Sequence, residues 1–530
     1  MSLPATGRDR VEQDRVVRDL LDGMAREPWG QTSPSVYETG RLVTLAPWLT
    51  GHADRVRWLL ANQRPDGSWG APDGYAIVPT LSAVEALLAT LDRADTDGER
   101  RIAAAADRGL RALLDLLTRA DAATLPDTPA ADLLIPVLVG QVNGRTGGRP
   151  PLPLPAGMDA GRLIAVRRSL ESGAPVPYKL LHAAETVADL VRDAPDARPA
   201  GPGGVGASPA ATAAWLGSGP VASAPSIGGV DAARSYLDTV ARRHGGPVPC
   251  AVPTTVFERS WVLSTLARAG VPMPAGPEPV GGMVRELAAA LGPDGTAAGP
   301  GLPADADTTS VTLYALALLG QPVDPGCLWA YRVGPQFCTW PGENGVSVTT
   351  NAHVLDAFGI HHGESGHNHA IAVEQLAIWL CEQQNADGSW IDRWHASLYY
   401  ATSCCVLALD RFGRIGTASR AVATAIDRAA AWVLATQRPD GSWGRWAGTT
   451  EETAYAMHVL LGVRSAPDPR IGEAAARGRA YLQATIDRPG PALWHDKDLY
   501  RPAAIVRAAT IAALHLGRDV GRDMGRGPST

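Results

Sequence analysis

The sequence predicts an all-α protein built from two α/α-barrel domains, and three observations predict it. A helix–turn–helix signature occurs three times, apolar residues recur at three-and-four spacing over most of the remaining chain, and period-two strand runs are scarce. The signature reads Trp58-Leu-Leu-Ala-Asn-Gln63 before RPDGSWG, Trp379-Leu-Cys-Glu-Gln-Gln384 before NADGSW, and Trp432-Val-Leu-Ala-Thr-Gln437 before RPDGSWG. Each copy joins an apolar helix end to a second apolar helix through a tight Asp-Gly turn. Each also carries a tryptophan after the turn: Trp69, Trp390 or Trp443. The expected role of this Gln and Trp is to staple helix ends together, so the repeat identifies architecture rather than chemistry. Paired helices repeating in two long blocks suggest α-hairpins stacked and closed into barrels.

Composition excludes several classes of function. Hydrophobic residues make up 45% of the chain and charged residues 19%, as in a globular protein with large cores. The net charge of −6 argues against a nucleic-acid partner, so a basic site for an anion has to be local. No stretch reaches the ~18 uninterrupted apolar residues of a membrane span. The N-terminal MSLPATGRDRVEQDRVV is polar and helical, unlike a secretory signal, and the cytoplasm is the expected compartment. Six cysteines without a CxxC pattern give neither a disulfide framework nor a zinc ribbon. Of the 48 Lys and Arg residues only Lys179 and Lys497 are lysine, which marks them as positions where a compact ammonium is wanted.

The motifs in order resemble those of the class II terpene cyclases, the family of squalene–hopene and copalyl diphosphate cyclases. The Gln…Trp repeats are similar to that family's QW motifs. Further similar segments are Ser33-Pro-Ser-Val-Tyr37-Glu-Thr39, Lys179-Leu-Leu-His182-Ala-Ala-Glu185, Phe257-Glu258-Arg-Ser-Trp261, Thr350-Asn351-Ala-His353, Trp394-His-Ala-Ser-Leu-Tyr399-Tyr400, Glu451-Glu452-Thr-Ala-Tyr455 and Lys497-Asp-Leu-Tyr500-Arg-Pro502. The resemblance implies two α/α-barrel domains called γ and β with the active site between them. It places an N-terminal helix at 1–25 against the β domain, γ at 26–280 and β at 281–530. A Pro/Gly-rich break at 272–282 is the expected boundary. The chain contains no Asp-Asp pair, so the metal-dependent ionisation tied to a DDxxD motif is not expected.

The segment Leu302-Pro-Ala-Asp305-Ala-Asp307-Thr308-Thr309-Ser310 resembles the family's DxDD signature. The resemblance makes Asp307 the Brønsted acid. An alkene is a very weak base, so this acid has to be protonated and poorly solvated, and burial beside Asp305 serves that end. On their own, Asp305 to Thr309 also read as the cap and first turn of a helix. Thr308 stands where Asp is commoner, and this version looks like bacterial drimenyl diphosphate synthases. The expected reaction is therefore bicyclisation of farnesyl diphosphate to drimenyl diphosphate with the diphosphate retained. The alternatives are a cyclase converting geranylgeranyl diphosphate to a copalyl-type diphosphate, and a non-catalytic α/α-barrel interaction protein.

Asn351 and His353 are expected partners of the acid or terminal bases, or else a satisfied polar pair within a helix. Lys179, Lys497, Arg393 and Arg501 are the expected diphosphate ligands, because a diphosphate needs local cations. Magnesium is expected to accompany it, although no metal-ligand spacing is visible, and no organic cofactor is expected. Carbocations need aromatic faces, and Trp215, Trp261, Trp340, Trp394, Tyr400 and Tyr455 are the candidates.

Overall fold

The computed structural model describes residues 5–93, 98–217, 228–274, 277–343, 345–361, 367–463 and 468–523. They form an all-α structure whose strands are two short hairpins, Arg332–Val333 with Gln336–Phe337 and Trp494–His495 with Leu499–Tyr500. In the C-terminal half, six described helices close a ring: Thr255–Arg268, Ala306–Leu318, Val348–Ile360, Leu398–Ala408, Thr450–Leu461 and Ala503–Asp523, the last returning to the first. Helices such as Val348–Ile360 and Thr450–Leu461 are buried nearly all round, as an inner barrel wall has to be. His367–Glu382, Ser419–Ala435 and Pro469–Thr485 pack around them as outer helices.

In the N-terminal half a smaller ring runs through Val36–Leu45, Ile77–Leu91, Ala131–Arg145, the 3-10 stretch Tyr178–Val187 and Pro209–Leu216, which returns to Val36–Leu45. Each half has its own apolar core. That of the C-terminal half also takes in Val17, Leu20, Leu21 and Met24 from the helix Ala5–Arg26.

The boundary expected at 280 is corrected by the packing. Phe257, Trp261, Val262, Leu263 and Leu266 of Thr255–Arg268 belong to the C-terminal core. The 272–282 break therefore joins an inner helix of that barrel to its outer helix Gly282–Ala290. Proline and glycine mark any interruption of helix, whether or not two cores meet there. Residues 275 and 276 of that break lie outside the described residues.

The three Gln…Trp signatures fold identically. Trp69, Trp390 and Trp443 are fully buried, and their indole N–H groups donate to Leu59, Leu380 and Val433 carbonyls at 2.7, 2.8 and 2.7 Å. Gln63, Gln384 and Gln437 each donate to two carbonyls, one in the turn (Gly67, Gly388, Gly441) and one in the following outer helix (Ala105, Ala425, Ala474). The glutamine thus satisfies carbonyls that the tight turn and helix contact would otherwise leave unpaired. The glycine is required: Gly388 has φ +101°, and a Cβ there would lie 2.5 Å from the Arg428 carbonyl oxygen. Trp390→Ala should lower the unfolding free energy by about 3–5 kcal/mol, since it removes a large core side chain together with its hydrogen bond. Urea denaturation followed by circular dichroism measures this.

Candidate active site

The inner helices of the C-terminal ring begin on capping side chains. Asp305, Ser347, Ser397 and Thr449 each accept a hydrogen bond from a first-turn amide of their helix. The chemistry-bearing residues follow within the first two turns: Asp307, His353, Tyr400, Glu451 and Tyr455. Local capping chemistry and ring closure together bring these side chains to one end of the barrel.

Asp305 Oδ1 accepts the Thr308 amide at 2.6 Å. Burial, and then the neighbouring Asp307, push the Asp305 carboxyl up to about 8. Asp307 Oδ1 lies 2.6 Å from His353 Nδ1. Burial alone would lower the imidazole, but the charge and hydrogen bond of Asp307, followed by Cys404, carry it up to about 10. A charged His353 donates from Nδ1 to Oδ1, which leaves Asp307 Oδ2 outside this hydrogen bond.

Aromatic rings surround this group. The Trp261 indole donates to the Tyr400 hydroxyl at 3.0 Å and meets His353 edge-on at 5.4 Å. The Tyr400 ring lies 4.6 Å from His395, 4.7 Å from Trp494 and 5.1 Å from Tyr455. The phenols of Tyr400 and Tyr500 are both raised, chiefly by burial, then by Cys404 for Tyr400 and by Asp496 for Tyr500. Behind His353 a cavity of about 170 Å³ runs down inside the ring past Ser403, Asp356, Arg268 and His458. It is smaller than the ~300–1,000 Å³ usual for a ligand pocket and does not include Asp307 in its walls.

A second cluster lies where the two barrels meet. Lys179, from the N-terminal barrel, donates to the Pro341 carbonyl at 3.2 Å and sits 5.6 Å from the Trp340 ring. Partial burial lowers its ammonium, against the pull of Glu343. Arg393 pairs with Asp127 at 2.8 Å and Glu343 at 3.2 Å and lies over Trp394 at 5.4 Å. Trp340 and Trp394 meet edge to face at 5.2 Å. The residues Arg393-Trp394-His395 lead directly from this cluster to the rings around Asp307.

Four expected site residues lie elsewhere. Lys497 is fully buried, paired with Glu38, with Glu185 at 2.9 Å, the Ser208 hydroxyl at 2.8 Å and the His182 carbonyl at 2.8 Å. Its bonding capacity is spent inside the protein, so it is not a diphosphate ligand. Arg501 is packed against the segment Trp29–Ser33 at a separate cavity of about 290 Å³, its amide donating to Ser33 Oγ. Asn351 uses its whole amide on the Phe337 backbone and the Ser347 carbonyl, pinning a hairpin rather than reaching the acid. Trp215 is fully buried in the core of the N-terminal barrel. Thr308 is buried and bonds toward Asp305, so it acts on the acid pair and not on a pocket wall.

Glu451 was quoted from the sequence only as part of a segment. Its Oε1 accepts the Trp494 indole N–H at 2.8 Å and the His395 Nε2 hydrogen at 3.1 Å. The available signal was its register: like Asp307, it stands two residues after its helix cap.

Residues 344–503 match the squalene-hopene cyclase C-terminal domain family. The chain is 44% identical to an ent-copalyl diphosphate synthase of Streptomyces sp. (strain KO-3988) over 504 residues, 94% of each chain. It is 42% identical to a labda-7,13-dienyl diphosphate synthase of Streptomyces clavuligerus, covering 93% of this chain and 91% of that one. The solved structure of an ent-copalyl diphosphate synthase from Streptomyces platensis superimposes with a TM-score of 0.87 at 43% identity, covering 96% of this chain and 99% of that one.

Two predictions follow from this geometry. Lys497→Ala leaves Glu38 and Glu185 buried without a counter-charge and should destabilise the protein by about 3–5 kcal/mol, read as a fall in the urea midpoint. Asp305 has a folded pKa above its unfolded value, so its contribution to stability is full below about pH 4 and is lost as pH rises through about 8. The stability difference between the native chain and Asp305→Asn should therefore move against the native chain between pH 4 and pH 9, measured by denaturant titration at each pH.

Proposed function

We propose that this chain, which belongs to the class II terpene cyclases, is a diterpene cyclase that converts geranylgeranyl diphosphate to a bicyclic copalyl-type diphosphate. The observation that carries the proposal is Asp307: a carboxyl with one oxygen held by His353, set beside Asp305 and bordered by aromatic rings. The relatives that span nearly the whole chain support the substrate.

The expectation of farnesyl diphosphate as substrate and drimenyl diphosphate as product is overturned by those relatives, which are copalyl and labdadienyl diphosphate synthases. The expectation rested on Thr308. That residue adjusts the acid pair, whereas chain length is a matter of space for one more isoprene unit along the pocket wall. A non-catalytic barrel has no use for a buried pair of carboxyls beside a charged imidazole.

In the proposed reaction the proton on Asp307 Oδ2 passes to the terminal alkene and leaves a tertiary cation. The next two alkenes each donate a π pair in turn, closing two rings, and loss of a proton from the last cation forms the new double bond. Asp307 is largely enclosed and held by His353, which fixes the carboxyl in place for proton transfer. Tyr400, Tyr455 and Trp494 present π faces to the moving charge, an interaction worth about 2 kcal/mol or more when desolvated. Lys179 and Arg393 hold the diphosphate at the junction of the barrels, with Trp340 and Trp394 beside them.

Magnesium is proposed to enter with the diphosphate, held largely by phosphate oxygens and water, with Glu343 and Asp127 as the nearby carboxylates. This fits an ion that binds through one or two carboxylates plus substrate phosphates; among the described residues no cluster of three His, Cys, Asp or Glu is arranged to hold a metal. It would supply charge neutralisation of the diphosphate.

Incubation with geranylgeranyl diphosphate and magnesium, then phosphatase treatment and mass spectrometry, should yield a bicyclic diterpene alcohol, with no pyrophosphate released before phosphatase. Stoichiometric pyrophosphate release, or a better kcat/KM for farnesyl diphosphate, would contradict the proposal. Asp307→Asn should lower kcat by at least about 100-fold at unchanged thermal stability, and Lys179→Ala should raise KM.

A further inference from the structure

We propose that Glu451 is the base that ends the reaction, taking the proton whose loss forms the product's double bond. The inference rests on the cyclase reading above and adds an assignment to it. An enzyme that starts a reaction by giving a proton and ends it without water needs a second group, close to the same rings, with an oxygen or nitrogen open to accept one.

Glu451 is such a group. Its side chain is 2% exposed, in the first turn of Thr450–Leu461. Oε1 is fixed by the Trp494 indole and by His395. Oε2 is buried without a well-formed hydrogen bond, and the Tyr455 hydroxyl is the group that interacts with this carboxylate. Trp494, which donates to Glu451, lies 4.7 Å from the Tyr400 ring, and Tyr400 accepts from Trp261 beside His353. Glu451 also raises the phenol of Tyr455, whose ring is 5.1 Å from that of Tyr400. One connected group of rings, Trp494, Tyr400 and Trp261, thus runs from Glu451 to His353 and Asp307.

The histidines there and Glu452 already use ring nitrogens or carboxylate oxygens in hydrogen bonds. His395 Nδ1 accepts the Ser397 amide at 2.9 Å and its Nε2 hydrogen goes to Glu451. His495 donates from Nδ1 to the Arg393 carbonyl at 2.6 Å and accepts the Tyr75 hydroxyl at 2.8 Å. His353 Nδ1 is bound to Asp307. Glu452, adjacent in sequence, is used in capping: Oε1 accepts the Arg445 amide and Oε2 the Thr449 hydroxyl.

In the step proposed, a C–H bond next to the final tertiary cation breaks. Its electron pair becomes the alkene and its proton goes to Glu451 Oε2. One proton has entered from Asp307 and one has left to Glu451, so the product is an isomer of the substrate.

The test compares the full-length native enzyme with Glu451→Gln and Glu451→Asp, using geranylgeranyl diphosphate and identifying products after phosphatase. Glutamine keeps the acceptor for Trp494 and His395 but cannot take the proton. The bicyclic skeleton should still form, with the final cation captured by water to give a bicyclic diol or shifted alkene isomers, and turnover should fall by about 10-fold or more. Glu451→Asp should give the native product mixed with the diol. Folded Glu451→Gln that makes only the native product, at any rate, overturns the assignment. If Glu451→Gln does not fold, Glu451→Asp decides: native product alone overturns the proposal, and a mixture supports it. A native enzyme that makes no bicyclic product would instead contradict the functional reading itself.

Discussion

The ammonium of Lys497 enters the space between the two barrels and meets Glu38, Glu185, the Ser208 hydroxyl and the His182 carbonyl there, all from the N-terminal half. Burial would strip the ammonium of its proton, but the two glutamates and Asp496 hold it charged. Burial likewise raises Glu38 to about 7 even against Lys497. Neither barrel can satisfy its own charges there, and removing one partner strands the others. This interaction ties the two rings together at a buried point between them. His182 with Asp496, at 2.8 Å, and Ser35 with Asp498, at 2.7 Å, extend the same seam.

The seam matters to function because the proposed diphosphate cations come from opposite sides of it. Lys179 lies in the N-terminal barrel and Arg393 in the C-terminal one, and they converge through Trp340, Trp394 and Glu343. A shift of either ring would separate them. The acid, by contrast, belongs wholly to the C-terminal ring. Asp305 caps its own helix, His353 reaches Asp307 from the next inner helix, and Trp261 and Tyr400 lie alongside His353. The proposed substrate anchor therefore depends on the interface and the proposed proton donor on one barrel, so the two can be disturbed separately.

The ring itself explains why single side chains near helix starts carry so much of the site. Inner helices are covered on all sides, so the polar groups they bury need partners, and caps such as Asp305 and Thr449 supply them locally. Once the first turn is fixed, a residue two positions past the cap has little freedom. Asp307 and Glu451 occupy that register on separate helices, and the rings of Tyr400, Tyr455 and Trp494 lie between and around them.

The sequence by itself determined the all-α class, the repeated staple and the acid motif, because each is written in neighbouring residues. Gln, Asp-Gly and Trp fall within one turn, and Asp305 to Thr309 are one cap. It did not determine what meets across the chain. Lys497 and Lys179 look equally rare and equally suited to a diphosphate, yet one is sealed among glutamates from residues 38 and 185 and the other stands at the junction of the barrels. Asn351 and His353 are two residues apart on one helix, so they point to different sides, and only the second reaches Asp307. Thr308 is buried against Asp305, and the structure places it in the cap of the acid helix. Such assignments are products of ring closure and barrel contact, where partners lie from tens to hundreds of residues apart, and only the tertiary structure decided them.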